Sequence, residues 1–254
     1  MIRLWSARAG WSEDRPVALP GRLLPVGWQA RVGHRALVLE AERHWRCLSS
    51  AVAGGGWRPV RCLVNLHLDA DLACQAEPAD TIDAAATGLG VSVIDVGMMT
   101  AASMRGLHVA SGECDGARLS VLVTVGLGNA RRAGDPADAG VEEARPPAGT
   151  INLMLLCAQG LSPAAMVETL TLLTEAKTAI LQERNVRSPV SGEIATGTGT
   201  DATAVIADPV AARPRRYAGK HTRFGEAAAR LTMAAVGAAV DDARALHERT
   251  AHAR

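Results

Sequence analysis

Apolar and polar positions follow a period of two over several short stretches in the first half of the chain, and a helical period over two long stretches in the second. Ala36 to Leu39 is apolar, Glu40 to Arg43 polar and His44 to Leu48 apolar again, a pattern that predicts a hairpin over 35–50. Gly54-Gly55-Gly56 predicts a turn. Arg61 to Leu68 reads as a strand, since Cys62, Val64, Leu66 and Leu68 alternate with Leu63, Asn65 and His67. A short helix is expected over 80–86, a strand over 91–96, and a valine-rich strand over 118–125 with little polar surface, suited to a central position. The stretch from Asp135 to Pro147 lacks a period and predicts a loop. Thr150 to Cys157 predicts another strand, and Ile194 to Ala207 a glycine- and threonine-rich loop feeding one more.

Two helices are expected beyond residue 160. The first has Ser162 as N-cap and Pro163 at its first position. The second is alanine-rich, running from about Thr222 to about His247 with Leu231 and Ala235 on its inward stripe. At one hundred degrees per residue, Met166, Leu170, Leu173, Ile180 and Leu181 of the first helix form one face. Lys177 falls in the middle of that face, where desolvation disfavours its charge unless a carboxylate or ligand oxygen compensates; the alternative is that its stem lies along the apolar surface and its head reaches the edge. Glu175 projects from the opposite side. Strands in mixed order followed by late helices predict an α/β or α+β fold: one layered domain over 1–254 with a mixed β-sheet core and two long C-terminal helices. The Pro- and Trp-rich residues 1–34 suggest an irregular N-terminal arm, and 136–147 the loop.

Composition narrows the classes. Hydrophobic residues make up 48% and charged residues 21% of 254, a globular balance long enough for a substantial core. The net charge is +1 and the basic residues are dispersed, so neither a nucleic acid nor a membrane is an expected partner. Cys47, Cys62, Cys74, Cys114 and Cys157 form no Cys-x-x-Cys pair and no zinc spacing, which with the absence of an apolar leader predicts a reducing, cytoplasmic setting. No phosphate-loop, dinucleotide or nucleophile-elbow pattern occurs.

Chemistry concentrates in a few segments. Ala195 to Ala202 packs Thr196, Thr198, Thr200 and Asp201 around Gly197 and Gly199, an arrangement suited to binding an amide or oxyanion and equally to a tight turn capped by its own hydroxyls. His221, Thr222 and Glu226 stand where the last helix should begin. There His221 could be an acid, a base or a structural hydrogen-bonding group, and Glu226 could simply compensate the helix dipole. Thr150 and Asn152 share one strand face, and Asn65 lies on another strand; buried, each needs a partner that a substrate amide or a neighbouring backbone could supply.

Read in order, these segments resemble the adenosylcobinamide amidohydrolase family. The series runs from Leu48-Ser49-Ser50-Ala51 and the triple glycine, through Val64-Asn65 and Gly97-Met98-Met99-Thr100-Ala101-Ala102, to Val123 through Ala130 with Arg132-Ala133-Gly134-Asp135. Gly149-Thr150-Ile151-Asn152, Thr174-Glu175-Ala176-Lys177, the 195–202 segment and Gly219-Lys220-His221-Thr222 with Gly225-Glu226 follow. Gly128 stands where the family often has serine, and Lys220 where threonine or a small residue is frequent.

The resemblance implies hydrolysis of the aminopropanol amide of adenosylcobinamide to adenosylcobyric acid, in corrinoid salvage for cobalamin synthesis. The corrinoid is then the substrate and no cofactor or metal is required. On this basis Asp201 or Glu175 is expected to activate water, Lys177 and the Gly197 to Thr200 loop to stabilise the oxyanion, and His221 to protonate the leaving amine. Thr150 or Thr200 as nucleophile is the rival route, with self-cleavage before the threonine as a variant of it. A metal held by Asp201, His221 and Glu226 ranks last. Asn65, Asn129, Thr150, Asn152, Thr196, Gly197, Thr198, Gly199 and Glu226 are the expected substrate contacts. A non-catalytic corrinoid carrier or sensor is the alternative function, and the oligomeric state is left open.

Overall fold

A computed structural model describes residues 1–68, 77–138, 149–210 and 213–252. It is a mixed α+β structure built on one curled sheet. In chain order the strands are β1 (Arg3–Ser6), β2 (Val17–Ala18), β3 (Trp28–Val32), β4 (Ala36–Ser49), β5 (Gly56–His67), β6 (Val96–Thr100), β7 (His108–Cys114), β8 (Ala117–Val125), β9 (Ala130–Arg131), β10 (Ile151–Cys157), β11 (Gly197–Thr198) and β12 (Ala202–Ala207). The helices are α1 (Pro78–Leu89), α2 (Pro163–Glu183) and α3 (Arg223–His252). The sheet runs β1-β7-β8-β10-β12-β4-β3-β2, with β5 also on β4 and β6 on β5, while β9 and β11 form a separate small ribbon. Among the described strands only β10 with β12 and β5 with β6 are parallel.

One strand makes the curl. β4 pairs along its whole length with β5, but on its other edge it pairs first with β3 and then with β12. The change of partner coincides with a register shift between Glu40 and Trp45. The expected hairpin over 35–50 is therefore corrected to a single 14-residue strand. Polar 40–43 marks this irregularity, not a turn, and it contains no Gly, Pro or Asn to bend the chain back. Its Arg43 pairs with both carboxylate oxygens of Asp208 at 2.9 Å and covers the Trp45 ring.

The curl carries β5 and β6 over the face of β8 and β10, enclosing a core of Leu37, Leu63, Met98, Leu122, Met154 and Ile206. The other face of β8 and β10 packs against α2 and α3, with Val123, Leu153, Leu173 and Val236 buried between. α1 covers the outside of β5 and β6 through Ile82. Helices thus lie on both outer surfaces, and apolar positions alternate between two cores on every central strand. The cap of α2 is as expected: Ser162 accepts from Ala165 N at 3.1 Å. Leu231 and Ala235 of α3 are buried. The first 34 residues contribute β1, β2 and β3, joined by short 3-10 turns.

One other expectation is corrected. The strand expected over 91–96 begins only at Val96, because Asp95 is held by β5: its carboxylate accepts from Arg61 N and Cys62 N at 2.7 and 2.9 Å. The hairpin β7–β8 was not foreseen, although its turn, Asp115-Gly116 with φ of 48° and 77°, has the residue pair most suited to a two-residue hairpin. Of the loop expected over 136–147 only 136–138 lie within the described residues, and Cys74 lies outside them.

Gly97 marks where α1 meets the sheet, since a methyl group there would sit 2.6 Å from Cγ2 of Ile82. Gly97→Ala is expected to cost about 1–3 kcal/mol by overpacking. Urea unfolding would read this, and combining it with Ile82→Ala should give less than the summed loss.

Candidate active site

At the end of the sheet where β10 and β12 begin, one carboxylate gathers three segments. Asp201 Oδ1 accepts from Ile151 N and Thr198 N, both at 3.1 Å, and from the Thr198 hydroxyl; Oδ2 accepts from Lys177 Nζ. The lysine comes from the inward face of α2, where its side chain is 8% exposed, and the carboxylate it needs is supplied by Asp201, itself 15% exposed. Gly197 lies directly on the pair: a methyl group there would collide with Asp201 Oδ2 and approach Lys177 Nζ to 3.0 Å. A side chain at 197 is thereby excluded.

One residue before Ile151, on the opposite strand face, stands Thr150. Its buried hydroxyl is hydrogen-bonded to the hydroxyl of exposed Thr200 and lies 3.3 Å from the Thr200 carbonyl. Thr200 donates in turn to Gly149 O at 3.1 Å. Gly149 is pressed against a turn of the backbone. A methyl group on it would be 2.7 Å from the amide nitrogen of Asn129 and 2.8 Å from that of Gly128. Among the described residues neither amide has an acceptor, so two consecutive N–H groups are left unpaired against Gly149, the residue before Thr150. The Asn129 side chain holds the facing loop, its Oδ1 accepting from Gly199 N at 2.8 Å.

Deeper on the Thr150 face, Asn65, Thr124 and Asn152 are fully buried inside the curl. Asn65 donates to Thr124 Oγ1 at 2.9 Å, and Asn152 donates to Asn65 Oδ1 at 2.7 Å and to Met99 O at 2.9 Å. Asn152 Oδ1 accepts from no described donor. Thr124 was missed in the sequence, where a single hydroxyl in a valine-rich strand, two residues before the Gly126-Leu127-Gly128 turn, was the available signal.

Other expected residues do not join this centre. Glu175, on the far side of α2, pairs with Lys220 at the surface, and neighbouring Glu168 accepts from Ala218 N. His221 is exposed in the turn that Thr222 caps, with Gly225 N donating to Thr222 Oγ1 at 2.9 Å, and Glu226 pairs with Arg230 at 3.3 Å. The expected placement of Glu175, His221 and Glu226 in one centre with Asp201 is corrected: their motif builds the start of α3, against the outward face of α2. Thr196 serves the framework, accepting from Ala133 N and Thr178 Oγ1 at 2.9 Å. No three His, Cys, Asp or Glu side chains among the described residues group as metal ligands would, so the Asp201, His221 and Glu226 alternative has no geometric basis. Nor are the central thiols candidate nucleophiles: burial pushes Cys47, Cys62 and Cys157 up to about 12.

A layered α+β fold with hydroxyls, free backbone amides and a buried ion pair at one strand-end rim has the equipment of an amidohydrolase. The chain belongs to the adenosylcobinamide amidohydrolase family, whose sequence profile matches residues 27–248. It is also 32% identical over 164 residues to an uncharacterized protein of Methanocaldococcus jannaschii, an alignment covering 58% of this chain and 64% of that one. The match thus spans less than two thirds of the relative's length.

Among solved structures, a β-aminopeptidase of a Burkholderia species has a TM-score of 0.44 at 14% identity, covering 94% of this chain and 91% of that one. A Pyrococcus horikoshii protein has 0.41 at 10% identity, with 95% and 83% covered. The L-aminopeptidase D-Ala-esterase/amidase of Ochrobactrum anthropi, described as a new variant of the Ntn hydrolase fold, has 0.38 at 13% identity, with 90% and 81% covered. No helix among the described residues is long and apolar enough to cross a membrane.

Removing one partner of a buried ion pair leaves the other uncompensated, so Lys177→Met should lower stability by about 3–5 kcal/mol. The surface pair of Lys220 and Glu175 provides the contrast, with Lys220→Met costing at most about 1 kcal/mol. Chemical denaturation of the two variants tests the difference.

Proposed function

We propose that this chain hydrolyses the amide between aminopropanol and the corrin side chain of adenosylcobinamide, releasing adenosylcobyric acid and 1-aminopropan-2-ol, with Thr150 as the nucleophile. Family membership supports the reaction. The observation that carries the choice of residue is the buried Thr150 hydroxyl at a strand start fixed by Asp201, with the amide nitrogens of Gly128 and Asn129 packed against the preceding residue, Gly149.

Asp201 is the leading sequence candidate to activate water, and its bonding argues against that role. A carboxylate offers about four acceptor positions. Here Oδ1 already takes three donors, while Oδ2 takes Lys177 and is covered by Gly197. With its acceptor positions largely filled, Asp201 is poorly suited to activate water, and with Lys177 it acts as a positioning residue. In the proposed route Thr150 Oγ attacks the carbonyl carbon and the Gly128 and Asn129 amides receive the developing oxyanion. The C–N bond then breaks, aminopropanol leaves with a proton, and water hydrolyses the threonyl ester to the free acid and regenerated hydroxyl.

The attack requires a proton acceptor, and a specific observation keeps a second form of the route open. Among the described residues no histidine, carboxylate or neutral amine is bonded to the Thr150 hydroxyl, whose partners are the hydroxyl and carbonyl of Thr200. Scission of the Gly149–Thr150 peptide would give Thr150 an α-amine able to serve as that base. Intact mass of the purified protein decides between the forms: a single chain supports relay through Thr200 to solvent, and a fragment beginning at Thr150 supports the amine.

Release of aminopropanol from adenosylcobinamide, followed by mass spectrometry, tests the function. Thr150→Ala is expected to abolish release, Thr150→Ser to retain part of it, and Glu175→Gln and His221→Ala to leave it unchanged. Tight corrinoid binding by the wild-type protein without any product would overturn the hydrolase reading in favour of a carrier or sensor.

A further inference from the structure

A cavity of about 940 Å³ is bounded by the segment after β6, the turn after β8 and the far half of α3. None of the candidate site residues read from the sequence lines it. Its inner wall nevertheless belongs to the candidate site. Gly126 to Gly128 line the cavity on one side and pack on Gly149 on the other. A methyl group on Gly126 would lie 3.3 Å from Ala102 Cβ, from Gly149 Cα and from Thr150 N. The turn that lines the cavity thus also touches the backbone of Thr150, a close approach that Gly126 permits.

We propose that this cavity seats the corrin macrocycle of the substrate while the aminopropanol arm reaches over the Gly126 to Gly128 turn to Thr150. The assignment rests on the hydrolase reading for the identity of the substrate, and three features support it. Ligand pockets span roughly 300–1,000 Å³, so this cavity stands at the upper end, more than a small amide needs and suited to a macrocycle whose rim stays outside. Part of its wall is small and apolar, with Ala101, Ala102, Val125, Ala239 and Ala243 leaving room for a broad plate. Arg105 and Arg244 stand among the lining residues with Ser103. Guanidinium groups are fixed multiple donors, and the fringe of a corrin is rich in carboxamide oxygens that accept.

Two arginines of the lining already have partners: Arg105 Nη1 lies 4.0 Å from Glu13 Oε1 with its guanidinium over the Trp11 ring, and Arg8 is held by Asp242. Arg8 Nε lies 2.9 Å from Asp242 Oδ2, which also faces His108 Nε2 at 3.1 Å, so this group ties the wall of α3 to β7 and to the turn after β1. The local positive charge is correspondingly reduced, favouring a neutral ligand with many acceptors over a polyanion.

Binding of adenosylcobinamide to a Thr150→Ala background, read by absorbance titration, separates seating from turnover. Ala243→Trp, which fills the cavity from a half-buried position, is expected to weaken binding at least about tenfold, or 1.4 kcal/mol. Arg105→Ala, at an exposed site, should weaken it severalfold with the unfolding midpoint unchanged. Wild-type affinity in both variants, or no corrinoid binding by the parent protein, overturns the assignment. Cavity-dependent binding by a wild-type protein that releases no aminopropanol supports the seat and sinks the hydrolase reading alone.

Discussion

The geometry of the strand-end rim depends on a single carboxylate. Asp201 is bonded to the first amide of β10, to the turn preceding β12 and to a lysine from the inner face of α2. Each of these groups would be costly alone: a buried ammonium without a counter-charge, a strand-end N–H without an acceptor, a carboxylate shielded from water. Together they satisfy one another, and the sum is geometric more than energetic, since a buried ion pair contributes little net stability beyond what desolvation takes away. What it does contribute is position. Ile151 cannot shift without breaking its bond to Asp201, and Thr150 precedes it by one residue.

A second constraint acts inside the curl. A sheet that folds over itself brings two strand faces together, and where those faces carry Asn65, Thr124 and Asn152 in place of aliphatic residues their hydrogen bonds must close within the core. They nearly do. The remaining Asn152 Oδ1 would cost about 1–3 kcal/mol as a buried orphan. It lies on the face that Thr150 also occupies, two residues along the strand. A core built for stability alone would place an aliphatic residue there, so polarity retained at this depth belongs with the chemistry at the rim.

How much of this was legible follows from the range of the interactions. α2 was readable to its cap, because Ser162, Pro163 and the apolar stripe are all local signals, and the misfit of Lys177 on that stripe pointed correctly to a missing carboxylate. That the carboxylate is Asp201 could not be read, since it depends on β10 and β12 lying parallel beneath α2. The error over 35–50 had the same origin: polar 40–43 looks like a turn unless β4 is known to exchange β3 for β12 at that point. Glu175 and His221 sit in motifs as regular as the one containing Lys177, yet a helix has two sides, and a rotation of one hundred degrees per residue already sets Glu175 opposite Lys177. The amides of Gly128 and Asn129 were invisible for a different reason, being backbone groups whose direction no side-chain pattern encodes.

For the proposed hydrolysis, the balance of charge at the rim favours the transition state over either end of the reaction. Lys177 is cancelled by Asp201 within the protein, so the donors that the proposed route uses are neutral: the Gly128 and Asn129 amides and the Thr200 hydroxyl. A neutral substrate amide gains only ordinary hydrogen bonds from such a setting. Negative charge on the carbonyl oxygen appears only as the tetrahedral intermediate forms, and fixed donors aimed at that position stabilise it without reorganisation. The product acid then carries a full charge, and the ammonium of Lys177 beneath the rim is already paired with Asp201. A neutralised lysine under the site therefore suits turnover better than a free one would, which gives the pairing of Lys177 with Asp201 a chemical reason beyond the anchoring of β10.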